Sequence, residues 1–364
     1  MNRPFSVYLD GVRFIASFLV YVYHSNQRRI VADILPASDY GHSSVIIFFV
    51  LSGFVIAYIT DTKERHWVTY TASRVSRVYS VAVPSLVFTV LLDGIGRHLY
   101  PALYDGYPYD HFALRLATSL LMLNEVWFVS ITTFSNVPYW SICYELWYYV
   151  VFGLLVFLPR RWSWFAVATL LLVLGPKVVL LAPIWGAGVL LYRWRALQTL
   201  PMGWAVVLLV FSVLGIIAFD RAGVEGVTTD WLKLLIGEEW HRQLTFSKFF
   251  LGDYLLAALV FANFVAMRRV ALLLSPLLLA IERPVRFLAT YTFTLYLLHQ
   301  PLFLFWAAVI QGDPQGYGYW LSTTALVLLS VMAIGYFTEN KRHSLRKWLE
   351  IKLPNAPRLL QRFT

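Results

Sequence analysis

Four groups of residues in this 364-residue chain have the types and spacing for chemistry. His24 stands near the end of the first long apolar run, Tyr8 to Ser25, where an ionisable side chain is costly and therefore a functional candidate. An imidazole in that place serves either as a general base or as an interfacial residue whose polar edge reaches water. Glu145 is the one carboxylate of the apolar window 139–158. If the two share a depth in a membrane, the carboxylate orients the ring and stabilises the imidazolium formed when His24 accepts a proton. The plainer reading pairs Glu145 with Arg13 or a tyrosine hydroxyl as a structural carboxylate.

Arg74 and Arg77 are three residues apart beside an apolar window. On a helical turn they share a face, and two guanidinium forks suit phosphate oxygens. Basic residues flanking a membrane helix also act as topology signals or lipid-headgroup contacts. The fourth group places Thr292, Thr294, Tyr296 and His299 in one hydrophobic span. Such hydroxyls line a polar cavity or, equally, hydrogen-bond between packed helices.

The elements that must position these residues are membrane helices. With 59% hydrophobic and only 14% charged residues, the chain has too little polar material to clothe a soluble domain of this size. The net charge of +10 carries no basic patch on a soluble fold, so it reads as topology information rather than as a nucleic-acid footprint. Fourteen Trp and 22 Tyr suit interfacial belts, and the single Cys143 rules out an intrachain disulfide or a cysteine metal cluster. Asp10 and Arg13 interrupt the first run where a signal peptide's smooth core would begin, so it reads as a retained helix.

Apolar windows fall at about 7–27, 42–60, 77–96, 112–130, 139–158, 162–175, 178–193, 202–220, 248–267, 288–310 and 318–338. If 112–130 is re-entrant or interfacial, ten helices remain and both termini are cytoplasmic. The inside segments then hold 21 of the 30 Lys and Arg, among them Arg160, Arg161, Arg283, Arg286 and seven basic residues from Lys341 to Arg362. The rival arrangement lets 112–130 cross, merges 162–193, and inverts the helix that carries Glu145. Charge favours the first. The expected architecture is thus an all-α polytopic membrane protein, with a transmembrane domain over 1–338 and a basic cytoplasmic tail over 339–364.

In order along the chain these segments resemble the acyltransferase-3 family of membrane O-acyltransferases. The family's Leu-Asp-Gly-Leu-Arg opening and helix ending in His correspond to Leu9 through Arg13 and His24. Its Phe-Phe-x-Leu-Ser-Gly-Phe helix corresponds to Phe48 through Phe54, and its RxxR pair to Arg74 and Arg77. Its Trp-Ser-Leu-x-x-Glu helix matches Trp140 through Glu145, and its Ser-Tyr-x-Leu-Tyr-x-x-His-x-Pro helix matches Tyr291 through Pro301. Departures are Tyr144 where an acidic doublet is common, Glu339-Asn340-Lys341 for Glu-x-Pro, and Val78-Tyr79-Ser80 where Ile-x-Pro is frequent.

The resemblance implies a bacterial inner-membrane enzyme that carries an acyl group, most often acetyl, from cytoplasmic acetyl-CoA to a sugar hydroxyl. The acceptor would be a surface or secreted polysaccharide or its lipid-linked precursor, such as exopolysaccharide or O-antigen. Arg74 and Arg77 would hold the donor's phosphates, and His24 with Glu145 would activate the acceptor. Asp10, Arg13, Ser141, Tyr296 and His299 would bind substrate or support the site. Expected partners are membrane lipid, the glycan acceptor and polysaccharide-assembly proteins, with no nucleic acid and no metal. A proton-coupled transporter of a sugar or acyl precursor is the alternative, with His24 and Glu145 as its relay, and a non-catalytic scaffold for polysaccharide export is a third reading.

Overall fold

The computed structural model describes residues 1–26, 35 and 38–353, apart from the Asn340 side chain. Along the chain run α1 (Arg3–Ser25), α2 (Gly41–Thr62), α3 (Trp67–Leu99), α4 (Phe112–Leu120), β1 (Glu125–Val126), β2 (Val129–Ser130), α5 (Tyr139–Phe157), α6 (Arg160–Leu174) and α7 (Pro176–Arg193). They are followed by α8 (Met202–Arg221), α9 (Val224–Ile236), α10 (Glu238–Gln243), α11 (Phe250–Leu273), α12 (Ser275–Ala280), α13 (Glu282–Thr290), α14 (Thr292–Ile310) and α15 (Tyr317–Lys352). Among the described residues eight helices are long and apolar enough to cross a membrane, namely α1, α2, α3, α5, α8, α11, α14 and α15. The chain is a multi-pass membrane protein.

Long-range contacts define two faces. At one, which we call the basic face, Arg3 bonds Glu282, Arg286 bonds Asp10, Arg346 lies 3.7 Å from Glu64, and Arg268 donates to the Leu191 carbonyl. At the other, Trp320 donates to Ser25, Tyr40 to Asp220, and the Trp127 amide to the Leu174 carbonyl. The shorter α6 and α7 connect the same two faces, since Arg160 follows the end of α5 while Lys177, at the start of α7, meets Glu125 beneath the hairpin.

The window 112–130 forms nine-residue α4 and then the β1–β2 hairpin, with Glu125 opposite Ser130. A nine-residue helix rises only about 14 Å, half of a hydrocarbon core, so α4 does not span. The 221–247 stretch, which falls in none of the apolar windows, contains α9 and α10. Helix α15 runs unbroken through the expected boundary at 338/339 as far as Lys352, and the tail's residues 354–364 lie outside the described part.

Burial separates core helices from lipid-facing ones. In α14, 72% of the apolar window is buried, against 11% in α8, whose Trp204, Val207, Phe211 and Leu214 point outward, as suits acyl chains. Helices α2 and α7 touch backbone to backbone. A Cβ on Gly53 would stand 2.0 Å from the Trp185 carbonyl oxygen, and one on Gly188 2.0 Å from that of Val50. Only glycine permits that approach. The neighbouring Ser52 is thereby pressed toward the bundle interior.

Candidate active site

His24 sits on the last turn of α1, where Ser25 donates to the Val22 carbonyl and receives the Trp320 indole N–H. Its ring centroid lies 5.2 Å from that of His299 on α14. His299 is fully buried and its Nδ1 is 3.1 Å from the Leu295 carbonyl, which only accepts, so Nδ1 carries a proton. Its Nε2 has no hydrogen-bond partner among the described residues. His24 lines a cavity of ≈ 540 Å³ together with His42, Trp140, Glu225, Lys248 and Phe249. Glu225 lies on α9, outside the spans, and burial raises its carboxyl above the usual range.

A narrow slot of ≈ 50 Å³ lies deeper, lined by Arg13, Ser52, Arg77, Ser141, Glu145, Tyr149, Thr292 and Tyr296. Tyr296 meets Ser141 at 2.5 Å, and its ring lies 6.3 Å from that of His299. Ser52 donates to Glu145 at 2.6 Å, and Tyr149 donates to the same carboxylate oxygen.

The slot shares Arg13, Arg77, Thr292 and Phe293 with a third cavity of ≈ 430 Å³ at the basic face. That cavity adds Asp10, Arg286, Glu339, Arg342 and His343. Asp10 binds Arg13 at 3.2 Å and Arg286 at 2.9 Å. Neither Arg77 nor Arg342 has an ion-pair partner among the described residues, an arrangement that favours an anion.

Helix phase decides which expected residues meet. Thr292, Tyr296 and His299 lie at i, i+4 and i+7 on one face of α14. Thr292 and Tyr296 line the slot, and His299 faces His24. Thr294 turns away to Thr338 at 3.3 Å and Glu339 at 3.2 Å on α15.

Two expected pairings do not form. Glu145 is held by Ser52 and Tyr149 and faces the slot with Arg13, not the His24 cavity. Trp140 reaches the His24 cavity, whereas Glu145, five residues on, is rotated well away and about 7 Å deeper. The plainer reading, a carboxylate paired with a tyrosine hydroxyl, is the one that forms. Arg74 and Arg77 also part company. Arg74 is buried, binds Glu64 at 2.6 Å, and is flanked by the Tyr70 and Tyr149 rings at 5.6 and 5.7 Å. Arg77 alone reaches the basic cavity.

The sequence offered no distinct sign of Arg342, His343, His42 with Asp253, or the fully buried Lys177 bonded to Glu125, whose partners lie far apart in the chain or beyond the assumed end of the domain. Ser52 did carry one, since it lies inside the Phe48–Phe54 motif.

A family model described as an acyltransferase domain matches residues 6–339. The chain belongs to the acyltransferase-3 family. Acyltransferase-3 membership thus covers every cavity residue named above except Arg342 and His343. One curated relative, acyltransferase MdmB of Streptomyces mycarofaciens, is 27% identical over 164 residues, 42% of this chain and 40% of that protein. The chain therefore matches about two fifths of that relative's length. No solved structure matches the chain.

Proposed function

We propose that the protein is a membrane O-acyltransferase that takes acetyl from acetyl-CoA at the basic, cytoplasmic face and places it on a sugar hydroxyl at the opposite face. The acceptor is a surface or secreted polysaccharide or its lipid-linked precursor, in the inner membrane of a bacterium. In this reading α6 and α7 cross with the eight long helices, giving ten spans with both termini cytoplasmic and α4 at the outer side.

The observation that carries the proposal is that the slot joins the basic cavity, where Arg77 and Arg342 have no ion-pair partner among the described residues, while His24 lines a cavity at the opposite face. Arg13 and His24 are eleven residues apart on α1, about 16 Å along the helix. A donor with its phosphates at Arg77 and Arg342 extends its thioester arm through the slot toward His24. Cations hold the phosphates, and the slot's aromatic and aliphatic walls exclude water from the thioester.

The reaction then needs one base. A ring nitrogen of His24 takes the acceptor hydroxyl's proton as the oxygen attacks the thioester carbon. The C–S bond breaks, the ester forms, and the proton passes from the imidazolium to the departing thiolate sulfur. His299, its Nδ1 proton tied to the Leu295 carbonyl, stands beside the ring that takes the proton. Glu145 fixes Ser52 and Tyr149 in the slot wall and takes no part in proton transfer. The test is transfer of labelled acetyl from acetyl-CoA to glycan by the reconstituted protein, which fails if wild type moves no label.

A further inference from the structure

Helix α2 begins against the end of α1. A Cβ on Gly41 would stand 2.4 Å from Tyr23 Cγ, so only glycine lets the Tyr23 side chain press on that backbone. The next residue on each helix is a histidine, and both His24 and His42 line the ≈ 540 Å³ cavity.

His42 is held from behind. Its Nε2 lies 2.8 Å from Asp253 Oδ1 on α11, and the two side chains are 17% and 2% exposed. The carboxylate accepts, so Nε2 carries the proton and Nδ1 is left for the cavity. The Phe249 ring, 4.8 Å from the imidazole, packs against it. Asp253 Oδ2 has no hydrogen-bond partner among the described residues. An ionisable group buried on these terms is expensive to keep, and the transfer step at His24 makes no use of it.

We infer that His42, oriented by Asp253, is an acceptor-positioning residue. Its Nδ1 shares a hydrogen bond with a second hydroxyl of the acceptor while the hydroxyl to be acylated lies at His24. The cavity thereby selects polyhydroxylated acceptors, such as a sugar ring, over lone alcohols. The inference rests on the acyl-transfer reading above.

Its test uses the full protein in lipid nanodiscs with labelled acetyl-CoA. The acceptor probe is base-deacylated glycan and glycolipid extract from cells lacking the gene, supplied as a dilution series. His42→Phe keeps an aromatic ring without either nitrogen, and it raises the half-saturating amount of extract about tenfold, the worth of one well-placed hydrogen bond. The half-saturating acetyl-CoA concentration stays at its wild-type value. His42→Gln, whose amide still donates and accepts, recovers part of the loss, and Asp253→Asn shifts acceptor saturation in the same direction as His42→Phe.

Unchanged acceptor saturation in His42→Phe, or donor saturation that moves with it, overturns the inference while the acyl-transfer reading stands. Should His42→Phe fail to fold, Asp253→Asn decides by the same measure. A wild-type protein that moves no label overturns the acyl-transfer reading itself, and this inference with it.

Discussion

His299 faces His24 with ring centroids 5.2 Å apart, and its own ring orientation is fixed by the Nδ1 bond to the Leu295 carbonyl. One imidazole is thus locked in the core of α14 beside another at the cavity wall. If His299 positions His24, His299→Phe leaves acetyl-CoA binding intact and lowers kcat, by about tenfold or more, a part of what a positioned base contributes. Steady-state kinetics with a separate donor-binding measurement check this. An unchanged kcat contradicts it.

The two arginines of the RxxR pair differ in their surroundings, Arg74 bound to Glu64 and Arg77 at the basic cavity. Arg77→Gln leaves the folded yield unchanged and raises the KM for acetyl-CoA about tenfold, the loss of a charge-assisted contact. Arg74→Gln removes the 2.6 Å partner of the buried Glu64 and leaves it only Arg346 at 3.7 Å, and breaking a buried pair costs about 3–5 kcal/mol. It lowers the melting temperature and the yield of folded protein. Thermal melts in detergent, set beside donor KM, show whether the effects divide in this way.

Close helix contact is equally testable. Gly53→Ala drives a Cβ to 2.0 Å from the Trp185 carbonyl oxygen, whereas a Cβ on Gly186, in α7, meets nothing within 4 Å. Overpacking of this kind costs about 1–3 kcal/mol. Gly53→Ala therefore melts at lower temperature, and Gly186→Ala melts as wild type. Equal melting temperatures for the two variants would place the α2–α7 contact wrongly.

At the basic face the Arg3 and Arg286 side chains bond Glu282 and hold its carboxyl down at about 2. A depressed folded-state pKa contributes stability above the ordinary carboxyl value of 4.5, and the contribution disappears as pH falls from there through about 2. The melting-temperature gap between wild type and Glu282→Gln is accordingly largest near neutrality and closes on acidification. Because these groups meet solvent, added salt narrows it too.

Hydropathy and basic-residue placement made the helical segments legible, down to the failure of 112–130 to form a spanning helix. Motif order singled out His24, Ser141, Tyr296 and Arg77, each of which lines a cavity. What could not be read was rotational phase and distant pairing. Glu145 lies only two turns into α5, yet its azimuth gives it to Ser52 and Tyr149 instead of His24. His42 and Asp253 are 211 residues apart, and neither local sequence signals that α2 and α11 bring them together. Polar composition hid α9 and α10, and the basic tail hid the continuation of α15, because charged residues on a helix beyond the membrane resemble loop when read by hydropathy alone.

The central claim is that His24 activates the acceptor while the donor binds elsewhere. The decisive measurement is labelled acetyl transfer to glycan extract by His24→Ala in nanodiscs, with acetyl-CoA binding measured on the same sample. Removal of a positioned base predicts transfer lowered by about 10²–10⁴-fold with donor affinity unchanged. Transfer retained at the wild-type rate would contradict the account.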